Sequence, residues 1–163
     1  MILAKPANPD FAEHIRLSFA SQAIMKLIGA ELGRVEPGFV EITLPYRSDL
    51  TQQHGYLHAG ILTTIADSAC GYAAFSLMPQ DSEVLSVEFK MNLLSPAKGK
   101  SFLAKAAVIK SGKTLTVVRG DVFSVSEKDE QHLVATMQGT MICMRGTKAK
   151  GDDAVERNQN RAG

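Results

Sequence analysis

Asp67 is the residue best suited to chemistry in this chain. It is the only charged residue in the apolar stretch from Ala59 to Met78. A carboxylate is costly to bury among apolar side chains without partners, so this one indicates either a structural capping role or a catalytic role. A carboxylate can activate water as a general base or attack a carbonyl carbon as a nucleophile. We therefore take Asp67 as the candidate catalytic residue.

His58, Ala59 and Gly60 stand where a polar loop gives way to that apolar stretch. Free backbone N–H groups at the start of a helix favour developing negative charge, such as a carbonyl oxygen under attack. His58 could instead simply cap the helix or bond the loop. The spacing of His54 and His58 suits zinc only on a helix, which Gly55 opposes, and a catalytic zinc site needs more ligands.

A second candidate site is a turn that carries two lysines. Its backbone N–H and ammonium groups could hold phosphate, although a plain solvated hairpin turn is the alternative. No strand-bounded glycine-rich dinucleotide motif and no Walker motif is present. The residues of this turn are Lys110, Ser111, Gly112, Lys113, Thr114 and Leu115.

The composition is that of one ordinary globular domain. The 163 residues are 45% hydrophobic and 21% charged, with a formal net charge of +1, so no global field favours nucleic acid or an anionic membrane. Pro6, Pro9 and Asp10 interrupt the N-terminus too early for a secretory signal. Cys70 and Cys143 lie in apolar segments, which predicts buried reduced thiols and a cytoplasmic location.

Two helices are predicted to position these residues. Apolar residues recur at helical spacing from Asp10 to Ile28, with Asp10 as the N-cap. The stretch from Ala59 to Met78 is apolar nearly all round, which predicts a helix buried on most faces and ended by Pro79. A transmembrane span is the alternative, but Asp67 and the small polar residues fit it poorly.

The rest of the chain predicts antiparallel strands joined by short turns. The segments are 30–35, 39–44, 85–93, 102–110, 114–126 and a last strand that carries Gly139. Alternation predicts one buried face and one polar face in the third of them: Leu85, Val87, Phe89, Met91 and Leu93 against Ser86, Glu88, Lys90 and Asn92. The predicted fold is α+β, a curved antiparallel sheet around one long helix that Gly139 lets approach closely.

The segment HGYLHAGILTTIAD, from His54 to Asp67, resembles the signature of PaaI-type hotdog-fold acyl-CoA thioesterases. In that family a His-Gly-Gly element opens the central helix, and an Asp follows nine residues after the His. The downstream segments SVEFKMNLLSPAKG and KSGKTL also resemble their counterparts in the family. The resemblance covers about residues 30 to 145, which leaves 1–29 as an N-terminal helical segment and 146–163 as a disordered polar tail.

The resemblance implies roles for individual residues. Asp67 matches the catalytic carboxylate, Ala59 matches a glycine whose N–H polarises the thioester carbonyl, and Ser86 matches a serine that positions water. Gln52 stands where the family commonly has asparagine, and Lys110 to Leu115 match a segment that contacts CoA. Family members dimerise through their sheets, often pair into tetramers, and build the active site from two subunits.

The function expected from this resemblance is hydrolysis of an acyl-CoA to a carboxylate and free CoA, with Asp67 as base or nucleophile. No metal, redox cofactor, nucleic acid or membrane partner is implied. Two alternatives stay open. His54 and His58 would suit a hotdog dehydratase or hydratase of β-hydroxyacyl thioesters, and a non-catalytic module that binds acyl-CoA would keep the fold without turnover.

Overall fold

The computed structural model describes residues 5–146, so the predicted polar tail lies outside the described residues except for Gly146. The elements, in chain order, are α1 (Phe11–Ser21), α2 (Ala23–Ile28), β1 (Glu31–Glu36), β2 (Phe39–Pro45), α3 (Ala59–Phe75), β3 (Ser82–Leu93), β4 (Ser101–Ser111), β5 (Leu115–Val125) and β6 (Gln131–Arg145). The six strands form one sheet in the order β1-β2-β4-β5-β6-β3, and every neighbouring pair is antiparallel.

The helix α3 lies against the curved sheet and supplies the centre of the core. Nine of its seventeen residues are buried, on several sides of the helix, and they pack against helix-facing residues of the strands such as Ile42, Ala104, Val118 and Met137. This confirms the α+β fold expected from the sequence. Within the described residues, no helix is long and apolar enough to cross a membrane.

The central helix ends earlier than its hydrophobicity predicts, at Phe75 rather than beside Pro79. The reason is Ser76, whose hydroxyl donates a hydrogen bond to the carbonyl of Ala73 at 2.7 Å and accepts one from the N–H of Gly38, also at 2.7 Å. A serine that bonds the backbone in this way competes with continued helix. The last helical turn is thereby tied to the β1–β2 turn.

The N-terminal segment is two helices, not the single helix from Asp10 to Ile28 that periodicity predicts. Gln22 adopts an extended conformation (φ −70°, ψ 109°), so it ends α1 and begins α2. Asp10 does occupy the N-cap position of α1, but its side chain makes no capping hydrogen bond. Arg47 holds the end of α2 by donating to the carbonyl of Leu27 at 2.8 Å.

The strand β3 corrects the predicted alternation. Ser86 pairs with Met141 and Glu88 pairs with Thr140, so Val87 is an extra residue, a β-bulge. Because of this extra residue, the side chains before Val87 alternate between the two faces of the sheet in the opposite phase to the side chains after it. Ser86 therefore faces α3 instead of sharing the outer polar face with Glu88, while Leu85 is 57% exposed. As the outermost strand of the sheet, β3 also exposes Val87, Phe89 and Leu93.

The close approach between helix and sheet occurs at Gly120 on β5, and the prediction that Gly139 provides it is wrong. A Cβ added at Gly120 would lie 2.8 Å from the sulfur of Cys70 on α3. At Gly139 the nearest atoms to an added Cβ belong to the neighbouring strand β3 and to Met141 of the same strand, β6. Alternation alone could not distinguish the two glycines, because both are buried and face the helix side.

We predict that Gly120→Ala destabilises the fold by about 1–3 kcal/mol, the usual cost of overpacking a core. Removing the opposing sulfur by Cys70→Ala should make room for the new methyl group. The double variant should therefore lose less stability than the sum of the two single changes. Urea denaturation of the four proteins measures this coupling, and strict additivity would contradict the contact.

Candidate active site

The centre of the candidate site is a hydrogen bond between a helix and the edge strand. The hydroxyl of Ser86 donates to Oδ1 of Asp67 at 2.7 Å. Asp67 is half-buried on α3 and lines a cleft open to solvent, so its carboxylate is reached by water. Among the described residues, Oδ2 of Asp67 has no hydrogen-bond partner. The serine thus orients the carboxylate while one of its oxygens stays available to a water or a substrate.

Cys70, one turn further along α3, is not a second nucleophile. Burial raises the pKa of its thiol to about 12, and the negative charges of Asp67 and Asp121 act in the same direction. Nucleophilic cysteines react as thiolates, and a buried neutral thiol behaves as a small apolar side chain. Cys143 is likewise free and buried. The chemistry of this region therefore rests with the carboxylate.

The start of α3 is capped by His58, whose Nδ1 accepts the N–H of Gly60 at 2.9 Å. The N–H groups of Ile61 and Leu62 donate to the carbonyl of His58. Within residues 5–146, the N–H of Ala59 alone in this first turn has no acceptor. His58 thus plays the capping role that the sequence left open, and Ala59 offers the free donor.

The loop before α3 is folded back on itself around Gln52. The side-chain oxygen of Gln52 accepts the N–H of His54, and its backbone N–H donates to Tyr56 at 2.9 Å. Gly55 closes the turn with a φ of 79°, a conformation that favours glycine. Gln52 and Ala59 line one open groove of about 410 Å³. Gln52 and the free donor of Ala59 therefore open onto the same groove.

The two halves of the candidate site do not meet within one chain. Ala59 and Asp67 are eight residues apart on the same helix, which is about 12 Å along its axis at ~1.5 Å per residue. A carbonyl group that is attacked with help from Asp67 must lie within about 3 Å of its oxyanion donor. A single copy of this chain brings Asp67 and Ser86 together, and Gln52 and Ala59 together, but not the two pairs.

The predicted phosphate-binding segment forms the β4–β5 hairpin. Lys110 and Ser111 end β4, Leu115 begins β5, and the N–H of Gly112 donates to the carbonyl of Leu115 at 2.9 Å. A Cβ at Gly112 would lie 2.7 Å from that same carbonyl oxygen, so the tight turn requires glycine. Lys110 and Lys113 are exposed. The hairpin can therefore present two cations to solvent.

Three polar residues around the cleft that holds Asp67 are not indicated by any sequence pattern. Gln22 donates through Nε2 to the hydroxyl of Tyr72 at 2.7 Å, and Ser18 lies 3.2 Å from the same hydroxyl. Burial raises the pKa of Tyr72, so its hydroxyl stays protonated. The break between α1 and α2 turns the side chain of Gln22 toward α3. Helical periodicity predicts one continuous helix there and therefore does not indicate this contact.

No cluster of three or more His, Cys, Asp or Glu side chains that could hold a metal ion occurs in the part of the chain that the structure describes. His54 lies in the exposed turn, and the Nδ1 of His58 is occupied by the cap of α3. The two histidines therefore belong to no such cluster within the described residues.

Comparison with known proteins shows the family of this fold. The profile of the thioesterase superfamily matches residues 54–130. A thioesterase family protein from Silicibacter pomeroyi is 48% identical, with a TM-score of 0.81 over 83% of this chain and 99% of that one. The 1,4-dihydroxy-2-naphthoyl-CoA hydrolase of Listeria monocytogenes is 28% identical over 64% of this chain and 85% of its own. The PaaI protein of E. coli shares the fold at 21% identity, with a TM-score of 0.72 over 85% and 95% of the two chains.

We predict that His58 contributes a cap and no proton transfer. Replacing an N-cap residue by alanine typically costs about 0.5–2 kcal/mol, whereas asparagine is itself a good cap. His58→Ala should therefore lower the melting temperature, and His58→Asn should restore it together with activity. Asparagine cannot exchange a proton near neutral pH, so a stable His58→Asn protein with turnover lost by a hundredfold or more would contradict a purely capping role.

Proposed function

The chain belongs to the thioesterase superfamily and is a thioester hydrolase, and from this premise we propose that it hydrolyses acyl-CoA thioesters with Asp67 as the catalytic carboxylate. The observation that carries the proposal is the hydrogen bond from Ser86 to Asp67 at the edge of a cleft. It holds a carboxylate in place with one oxygen turned to solvent. The chemistry needs no group that the chain lacks.

In the proposed reaction, water attacks the carbonyl carbon of the thioester while the carboxylate of Asp67 takes a proton from it. The tetrahedral intermediate then collapses, the bond from carbon to sulfur breaks, and the departing thiolate receives that proton to leave as CoA. A direct attack by Asp67 would break the bond from carbon to sulfur, expel the CoA thiolate and form an anhydride, which water then cleaves to the carboxylate product and free Asp67. Both routes give the same products, a carboxylate and free CoA, and both require the carboxylate.

Ala59 is the proposed oxyanion donor, because its N–H is the free one at the positive end of α3. Gly60 and His58 support it indirectly: the bond between them completes the first turn and keeps Ala59 in place. Ala59 replaces the family's glycine, but its N–H is unchanged and helical φ tolerates a Cβ. Gln52 lies in the same groove and offers its amide N–H₂ group to the thioester or to the water.

A second copy of the chain supplies the missing half of each site. The edge strand β3 exposes an unpaired side and apolar side chains, which favours pairing with another strand. Antiparallel pairing centred on Lys90, with Val87 left out of the register as a bulge, sets Ser86 of one copy opposite Leu93 of the second. Leu93 lines the groove that holds Ala59 and Gln52. Asp67 and Ser86 of one copy would then face Ala59 and Gln52 of the other copy across the dimer.

The β4–β5 hairpin is the proposed contact for the phosphates of CoA. The residue after it, Thr116, lies in register with Met141 and, through it, with Ser86. Two strand spacings of ~4.8 Å place the base of the hairpin about 10 Å from Ser86. Lys110 and Lys113 project beyond that base. A CoA molecule whose thioester lies at Asp67 is therefore long enough to bring its phosphates to these two cations.

Asp67→Asn is the first test. Asparagine matches the size of aspartate and can still accept the Ser86 hydrogen bond, so the fold should be retained. Loss of a catalytic carboxylate should lower kcat for acyl-CoA hydrolysis by about 10²–10⁴-fold, or ~3–5 kcal/mol of barrier. Thiol release across an acyl-CoA panel measures it.

The matched control for that test is Asp121→Asn. Asp121 accepts a hydroxyl hydrogen bond from Thr136 at 2.6 Å, and both residues lie on the face of the sheet away from α3. This variant should lose a carboxylate without losing turnover. A folded Asp67→Asn protein with near-native kcat would exclude the catalytic assignment.

Ala59→Pro tests the oxyanion donor and the two-copy site together. Proline is well accepted at the first position of a helix and removes only the N–H, and His58 already has the extended backbone (φ −62°, ψ 137°) that precedes proline. We expect this variant to be folded and strongly impaired, and Ala59→Gly to be active. Refolding it in an equal mixture with Asp67→Asn should restore about a quarter of wild-type activity, because half of the dimers gain one intact site. No restoration would contradict a site shared between copies.

A further inference from the structure

The cleft beside Asp67 is bordered at one end by residues of the N-terminal segment. It runs from Asp67 and Ser86 along the next turns of α3, between that helix and the first residues of β3. Ser18 and Gln22 line this end and contact Tyr72. A ligand that extends from Asp67 along α3 therefore meets these two polar side chains.

The end of the cleft that Ser18 and Gln22 line is polar, and it carries hydrogen-bond acceptors that have no donor. Gln22 uses its Nε2 on Tyr72, and within residues 5–146 its side-chain oxygen has no donor. The carboxylate of Glu83 lines the same cleft and forms no hydrogen bond or ion pair in the described part of the chain. Acceptors thus outnumber donors at this end, which suits a ligand that brings its own hydroxyl.

The floor of the cleft is smooth because of Gly71, one turn after Asp67 on α3. A Cβ added there would meet no atom within 4 Å. The cleft volume of about 260 Å³ lies just below the ~300–1,000 Å³ of pockets for drug-sized ligands. The space therefore accepts a short group and would be reduced by any larger side chain at Gly71.

We propose that this cleft is the acyl subsite, and that Gln22 and Ser18 select short acyl groups ending in a hydrogen-bond donor such as a hydroxyl. The inference rests on the proposed thioester hydrolysis at Asp67 and names its substrate class. Long alkyl chains exceed the cleft volume of about 260 Å³. Acyl groups that end in a carboxylate are disfavoured by Glu83, because like charges in contact repel.

The pantetheine and nucleotide of CoA are the rival occupants of the cleft. The phosphates require cations rather than Asp67 and Glu83. Lys110 and Lys113 on the β4–β5 hairpin meet that requirement outside the cleft. The charge of the lining therefore assigns the cleft to the acyl group.

A size series at Gly71 distinguishes the two occupants. Gly71→Ala and Gly71→Met should fold, since both residues favour helix over glycine. For Gly71→Met, the ratio of kcat/KM for hexanoyl-CoA to that for acetyl-CoA should fall about 10- to 100-fold from the wild-type ratio, with Gly71→Ala between. The inhibition constant of free CoA should not change. A uniform loss on all substrates, with weaker inhibition by CoA, would assign the cleft to pantetheine and overturn the inference.

Gln22→Met tests the preference for a donor. Methionine is close to glutamine in length and lacks its hydrogen-bonding groups. Wild-type protein should prefer ω-hydroxybutyryl-CoA to the isosteric pentanoyl-CoA and should be poorest on succinyl-CoA. Gln22→Met should reduce the first preference roughly 2- to 10-fold, the value of one hydrogen bond. Ser18→Ala should act in the same direction, while Ser21→Ala, on the exposed side of α1, should not.

The outcomes distinguish a failure of the proposed thioester hydrolysis from a failure of the proposed acyl preference. A wild-type protein that releases thiol from no acyl-CoA overturns the proposed function and this inference with it. A wild-type protein that is active but indifferent to the terminal hydroxyl, or a Gln22→Met variant with unchanged preference, overturns the inference alone. Circular dichroism and thermal melting confirm that each variant is folded before its kinetics are compared.

Discussion

The helix α3 is apolar on almost every face, so the rest of the structure must cover it to keep it away from water. A helix that is apolar on most sides is stable only when other elements cover it. The curved sheet does so, and Gly120 allows the sheet to come close enough for the sulfur of Cys70 to pack against its backbone. What the sheet leaves open is the side of α3 that carries Asp67, where β3 forms the edge.

Burial and chemistry are reconciled at that edge. A carboxylate in the middle of an enclosed helix would need a full set of partners, whereas Asp67 has one from Ser86 and the solvent of a cleft. The free N–H of Ala59 lies at the other end of the same helix. Because the helix is rigid, it holds the two groups at a fixed separation that no single thioester can bridge. The proposed reaction therefore ties catalysis to assembly through the length of one helix.

Much of this was readable from the sequence, and the errors have physical causes. The buried helix and the antiparallel strands followed from the hydrophobic pattern, and one charge in apolar surroundings indicated Asp67 as the candidate residue. The bulge at Val87 did not, since a one-residue insertion leaves the alternation of residue types intact while it reverses the faces. The break at Gln22 also escaped, because glutamine is a good helix former and its contact with Tyr72 spans fifty residues of chain. Backbone pairing and long-range side-chain contacts, which decide both points, are not local properties.

The bulge in β3 has a meaning in terms of how such sites arise. At the level of the gene it corresponds to the insertion of a single codon into a strand. In the middle of an internal strand an insertion shifts one half of the strand against both neighbours. At an edge there is only one neighbour to disturb, so the insertion is tolerated and a serine turns from the outer face toward the helix. A polar residue of the surface could thus have been recruited to a carboxylate in one mutational step, with the fold otherwise unaltered.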